Sequence, residues 1–288
     1  MTFRPTLWLC AALSLAQLSC TPAAIRAPVP APPETPTGKA EILLLGDSQI
    51  SFGAGGAYLQ FLQTLGRSCP GVPARFATAK AQAIGVRSTA LHHWTASSAP
   101  DRDPICEIDK TYGVNAGSYG VTSPGLTYVQ IGAADYPFCS SRSTPLESAV
   151  THIDPDLIIL AFLGNATDRW QSARTARADW QAADAQLPQD IPCMVMTTIP
   201  AFEPAENRRR QSAQENLRAA VLATDRCGFV PGLTPATLKA IEARKDNFRT
   251  DATGRVTDAT HPTAASAARY IQINQPLLCA GLRAALAD

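Results

Sequence analysis

Seven consecutive residues, Leu157-Ile158-Ile159-Leu160-Ala161-Phe162-Leu163, carry no polar side chain and show no alternation. A strand with one wet face alternates apolar and polar residues. An unbroken run of this kind is covered on both faces, as in a parallel sheet held between two helical layers. Residues 42–45 repeat the pattern, 193–199 read as another buried strand, a strand is predicted over 76–84 ending at Gly85, and short ones around 126–131 and Phe229-Val230. Helical spacing lies between them. Tyr58, Phe61, Leu62 and Leu65 mark a helix over 56–66, and Trp170, Ala173, Ala176 and Trp180 mark another. Further helices are read over 205–223, over 235–244 and after Pro262. Residues 96–125 are rich in Pro, Gly, Asp and Ser and read as a long excursion. Strand and helix in alternation predict an α/β chain, a three-layer sandwich with a central mostly parallel sheet. Ligands of such sheets bind beyond the C-terminal strand ends.

The N-terminus has a different character. Arg4 followed by a short apolar stretch over 7–18 reads as an export signal, too brief to span a bilayer as an ordinary helix. It ends at Leu18-Ser19-Cys20, which resembles a bacterial lipoprotein signal with Cys20 as the lipidated residue; Gln17 stands where an aliphatic residue is usual. Conventional cleavage near Ala23 or Ala24 is the alternative, and both routes export the protein. Residues 21–38 hold Pro28, Pro30, Pro32, Pro33 and Pro36 and form a stiff linker. With a lipidated Cys20 that linker becomes a membrane tether. The expected organisation is thus a signal over 1–20, a linker over 21–38 and one domain over 39–288, located in the periplasm or cell envelope. Outside the leader, Cys69, Cys106, Cys139, Cys193, Cys227 and Cys279 are even in number and fit up to three disulfides of open pairing. No two stand at close zinc-ligand spacing. A formal charge of +1 gives no basic field for nucleic acid.

Two short words carry the chemistry. Gly46-Asp47-Ser48 closes the first apolar strand, and Asp258-Ala259-Thr260-His261-Pro262 lies near the C-terminus. A serine hydroxyl needs a base to take its proton, and the base works best when a third group fixes its tautomer. Asp258 and His261, three residues apart, supply that pair. Gly85 follows the second predicted strand and Gly164-Asn165 the central one. These four elements, in this order, resemble the SGNH (GDSL-type) hydrolases over nearly the whole exported domain. The resemblance implies a flavodoxin-like fold, Ser48 as nucleophile, His261 as base and then acid, and Asp258 as its orienting group. It also implies an oxyanion hole from the backbone N–H groups of Ser48 and Gly85 and the Asn165 amide, with no metal or organic cofactor. Many members carry Gly-x-Asn-Asp at the third element. Here Asn165 follows Gly164 directly and Asp168 comes three residues later, which leaves any role of Asp168 open.

The resemblance implies ester substrates, and the envelope location adds O-acetyl groups of polysaccharide or peptidoglycan, so the expected partner is an ester-bearing small molecule or an acylated glycan. An O-acyltransferase on the same scaffold and a non-catalytic glycan-binding lipoprotein are the rival readings. Each residue also has a plainer role. Ser48 can cap the following helix, His261 can open the last one, Asp258 can be an exposed loop acid, and Asn165 and Gly85 can serve turns. Asp47 is assigned a structural part. Trp94 is either a pocket-lining ring or a core side chain, and His92-His93 lacks a third metal ligand. Arg87 and Ser88 are placed on the surface, Arg208-Arg209-Arg210 on a solvated helix face, and His152 in a turn.

Overall fold

The computed structural model describes residues 40–96, 117–122, 129–132 and 143–287. The leader with Cys20, the proline-rich linker, Cys106 and Cys139 lie outside these residues. β1 (Glu41–Gly46), β2 (Lys80–Val86), β3 (Gly117–Thr122), β4 (Val129–Gly132), β5 (Leu157–Ala161), β6 (Cys193–Met196) and β7 (Gly228–Val230) form one sheet in the order β4-β3-β2-β1-β5-β6-β7. The segment β2-β1-β5-β6-β7 is parallel throughout. Counted along the chain its order is 2-1-3-4-5, the flavodoxin-like arrangement. The chain reverses direction of travel between β1 and β5, and the crevice beyond their C-terminal ends is where such folds bind ligands.

Burial explains why the strand runs lack alternation. Ile42, Leu44, Leu157 and Ile159 face one layer, packing with Tyr58 and Leu59 of α1 (Gly55–Gln63) and Tyr270 and Leu282 of a long C-terminal helix. Leu43, Leu45, Ile158 and Leu160 face the other layer. There they meet Trp94 of α3 (Leu91–Thr95), Leu146 of α4 (Pro145–Ile153), Trp180 of α5 (Ala173–Asp184) and Leu217 of α6 (Pro204–Leu222). Every strand side chain named here is at most 1% exposed. Each such burial contributes about 1.5–3 kcal/mol before conformational entropy is set against it. α2 (Leu65–Ser68), α7 (Pro235–Ile241) and the C-terminal α8 (Ala264–Ala285) are the other α-helices among the described residues.

Among the described residues two cysteine pairs are bonded, one within the helical layer of α1 and α8 and one between neighbouring strands. Cys69, just after α2, is bonded to Cys279 of α8 across 210 positions, and Cys193 of β6 is bonded to Cys227, the residue before β7. Among the described residues no helix is long and apolar enough to cross a membrane.

Several expectations are corrected. Gly117–Thr122 lies inside the predicted 96–125 excursion yet is a strand, paired antiparallel to β2 and to β4. Its glycine- and serine-rich sequence carries no strand signal of its own. The plainer alternative of an exposed loop acid at Asp258 does not hold: β8 (Phe248–Thr250) and β9 (Val256–Pro262) form a separate antiparallel ribbon. The helix expected from 56 begins at Gly55 and is preceded by a π-type turn, Ile50–Ala54, in which the Gly55 N–H donates to the Ile50 carbonyl. His152 sits in the last turn of α4, whose start is fixed by a Thr144–Glu147 capping box.

Candidate active site

β1 ends at Gly46, and the chain turns at once. The Asp47 carbonyl accepts from the N–H groups of Ile50 (3.1 Å) and Ser51 (3.4 Å), while its carboxylate accepts from the Gln49 N–H at 2.9 Å. Gly46 and Gly85 are register partners in adjacent strands. A Cβ on Gly85 would lie 2.4 Å from the Ser51 nitrogen and 2.9 Å from the Asp47 carbonyl oxygen, so the turn carrying Ser48 rests directly on it. Gly85 is therefore inside β2, one residue before its end, and has a packing reason of its own to be glycine.

Ser48 is 8% exposed, and its Oγ lies 2.8 Å from His261 Nε2. The other ring nitrogen, Nδ1, stands 3.1 and 3.0 Å from the two carboxylate oxygens of Asp258. Asp258 Oδ1 also accepts from the backbone N–H groups of Thr260 (3.1 Å) and His261 (2.9 Å), so one carboxylate fixes both the ring and the backbone that carries it. Arg249, opposite Asp258 in the ribbon, reaches its Oδ2 at 3.6 Å. Partial burial pushes the Asp258 carboxyl upward, but the hydrogen bonds from the His261 ring and backbone, the His261 charge and the Thr260 N–H outweigh it. The net result is a pKa lowered to about 2. An ionised Asp258 holds the proton on Nδ1, which leaves Nε2 as an acceptor for the Ser48 hydroxyl.

Asn165 occupies the short helical turn Gly164–Ala166 that follows β5. Its side chain is exposed, and its amide donates one hydrogen to the Thr89 carbonyl at 2.9 Å. Thr89 is fully buried: its hydroxyl donates to the Val86 carbonyl at 2.8 Å and accepts from the Trp94 indole N–H at 3.3 Å. Exposed Ser88, at φ 60°, bends the chain into this knot. The structure thus gathers Ser48, His261 and Asp258 directly, and sets Asn165 at the end of the adjacent strand. Trp94 is core, fully buried and packed edge-on to Phe162 at 6.1 Å between ring centroids. Asp168 is exposed and ion-paired with Arg209. Among the described residues no three His, Cys, Asp or Glu side chains stand together as metal ligands. The His92 and His93 rings stack at 3.9 Å, and His93 Nδ1 accepts from the Ala90 N–H as a helix cap.

Three neighbours were not legible. Arg210, read as part of a solvated face, is 3% exposed, binds Glu206 at 2.9 Å, and reaches Gly164 beside the Asp47 carboxylate. Burial raises the Asp47 pKa, opposed by the Gln49 N–H, the Arg210 guanidinium, the Leu163 N–H and His261. Arg249 faces Asp258, as described above. Gln49, next to the serine, is 2% exposed with its amide fully engaged.

No known family model matches the chain, and no curated protein matches it. Solved structures do. A DUF4886 family protein from Bacteroides uniformis is 13% identical, with a TM-score of 0.50 over 86% of this chain and 83% of that one. The salicylyl-acyltransferase SsfX3 from a tetracycline biosynthetic pathway is 12% identical, with a TM-score of 0.41 over 85% of this chain and 55% of its own. A family 3 carbohydrate esterase from Clostridium thermocellum is 13% identical, with a TM-score of 0.41 over 86% of this chain and 99% of its own. The structures similar to this chain thus include an esterase and an acyltransferase. At such identities the likeness is one of fold alone, an α/β sandwich with a five-stranded parallel segment flanked by helices.

Proposed function

We propose that this chain is an exported serine esterase that hydrolyses carboxylic esters through an acyl-enzyme. One observation carries the proposal: Ser48 Oγ is 2.8 Å from His261 Nε2 while the opposite ring nitrogen is held by Asp258. In the first half-reaction Ser48 Oγ attacks the ester carbonyl and His261 Nε2 takes its proton. The tetrahedral oxyanion collapses, His261 returns the proton to the departing alkoxide, and the acyl group stays on Ser48. Water then attacks the acyl-enzyme with His261 again as base, releasing the acid and restoring the serine. Asp258 holds the ring tautomer that makes both transfers possible. For the oxyanion we assign the backbone N–H of Ser48 and the second amide hydrogen of Asn165; Gly85, paired with β1 and β3, serves by letting the Ser48 turn pack against it. The Thr89 carbonyl takes only one Asn165 hydrogen and fixes the amide plane, which supports that assignment.

The two disulfides among the described residues suit an oxidising compartment, in keeping with export to the periplasm or envelope and a tether through Cys20. O-acetyl groups of envelope glycans are the substrate class we favour. The test is turnover of p-nitrophenyl acetate by the protein and by Ser48→Ala. Loss of at least about 1,000-fold in the variant supports the proposal; equal rates remove it. Acyl transfer to an added glycan, detected among the products, would make the enzyme a transferase.

A further inference from the structure

Resting on the esterase reading, we infer that Gln49 is a positioning residue that sets the distance between nucleophile and base. Gln49 is adjacent in sequence to Ser48, and its side chain is 2% exposed. Its Nε2 donates to the Thr260 carbonyl at 3.1 Å, immediately before His261, and to the Ile199 carbonyl at 3.2 Å. Its Oε1 accepts from the Ile199 N–H at 3.1 Å. One amide therefore docks on residue 199, after β6, as a strand edge would, and spends its remaining hydrogen on the segment that bears the base. Both amide hydrogens and the amide oxygen are used, so the side chain has a single satisfied orientation.

The other holds on the histidine segment are looser with respect to Ser48. The Phe202 N–H donates to the Ala259 carbonyl at 2.8 Å, and the β8–β9 pairing fixes the ribbon, but both tie the segment to parts of the chain remote in sequence from the serine. The direct Ser48–His261 contact changes as the proton moves during turnover. The Gln49–Thr260 bond does not, because neither partner reacts. It is a link of constant length that bypasses the reacting atoms, and misplacement of such atoms by about 1 Å costs on the order of 100-fold in rate.

The experiment compares the wild-type protein with Gln49→Met, which keeps side-chain length and removes all three bonds, and Gln49→Glu, which keeps only the acceptor for Ile199. Active sites are first counted by end-point labelling with a fluorophosphonate, so rates refer to folded, competent molecules. On p-nitrophenyl acetate, kcat per titrated site falls about 10- to 100-fold in both variants while KM stays within about two-fold. The rate of fluorophosphonate labelling falls in step. A residue that only supports the fold lowers Tm and the number of titratable sites but leaves kcat per site at the wild-type value, and that result overturns the inference. So does a change confined to KM, or failure of both variants to fold. If the wild-type protein itself is neither labelled nor active, the esterase reading has failed, an outcome distinct from wild-type labelling that the Gln49 variants share.

Discussion

Asp258→Asn changes few atoms, and its effect can be worked out from the hydrogen bonds. Asp258 Oδ1 accepts from two backbone N–H groups, at 3.1 and 2.9 Å. An asparagine must place its carbonyl oxygen there, since an NH₂ would meet two donors. Its NH₂ then takes the place of Oδ2, 3.0 Å from His261 Nδ1. Nδ1 also lies 3.1 Å from the retained carbonyl oxygen, but that oxygen already accepts two backbone N–H groups, so Nδ1 instead accepts from the NH₂ and the ring proton moves to Nε2, pointing at Ser48 Oγ 2.8 Å away. The base is then blocked by its own proton with scarcely any displacement of heavy atoms. A wrong tautomer of this kind lowers kcat about 10,000-fold, or about 5.4 kcal/mol of barrier. Esterase kcat and the rate of fluorophosphonate labelling should both drop on that scale. The same carboxylate contributes to stability. Its pKa is lowered from 3.8 to about 2, so the contribution is complete above the unfolded value near 4 and is lost as pH falls through 2. With the side chain 22% exposed, about 1–2 kcal/mol is the appropriate size after screening. Urea unfolding of both proteins should show a stability gap at pH 6 that closes between about pH 5 and 2. A variant with kcat within ten-fold of wild type would refute the assigned orientation of Asp258.

Other perturbations separate chemistry from packing. Asn165→Ala should lower kcat for ester hydrolysis by about 100-fold with little change in Tm, because the lost donor serves the oxyanion and the side chain is exposed; an unchanged kcat would remove Asn165 from the hole. Gly85→Ala places a methyl 2.4 Å from the Ser51 nitrogen, so thermal unfolding should show a loss of about 1–3 kcal/mol together with impaired labelling of Ser48. Breaking Cys69–Cys279, whose ends are 210 positions apart, should lower stability by roughly 5 kcal/mol, and breaking Cys193–Cys227, 34 apart, by roughly 4 kcal/mol, on the chain-entropy relation. Urea midpoints of the Cys→Ala pairs measure both.

The parts of this fold that were legible are those where burial leaves its mark on side-chain type. Residues 42–45 and 157–163 are apolar because both faces of β1 and β5 are covered, and the words around Ser48 and His261 sit at the ends of ordered elements. The opaque parts are buried yet polar. On α6 the inward stripe runs Asn207, Arg210, Ala213, Gln214, Leu217 and Val221, at helical spacing, but its first turns are amide and guanidinium. Asn207 binds the Ala201 N–H and carbonyl, and Gln214 accepts from the Thr197 hydroxyl and the Leu233 N–H. Loops beside the site satisfy their backbone through these side chains; of the run read as a solvated face, Arg208 and Arg209 are exposed as expected and only Arg210 turns inward. β3 was missed for the opposite reason: pairing on both edges, with β2 and β4, orders a segment of weak intrinsic strand preference. Gln49 was hidden because its meaning depends on residues 199 and 260, which only the fold brings near.

The most direct measurement is peptide mapping by mass spectrometry after brief exposure of the protein to a fluorophosphonate. One adduct per chain, confined to the peptide holding Ser48 and abolished by His261→Ala, is the expected result. An intact chain that takes up no reagent, or an adduct that forms equally fast without the imidazole, would contradict the assignment of Ser48 as the activated nucleophile.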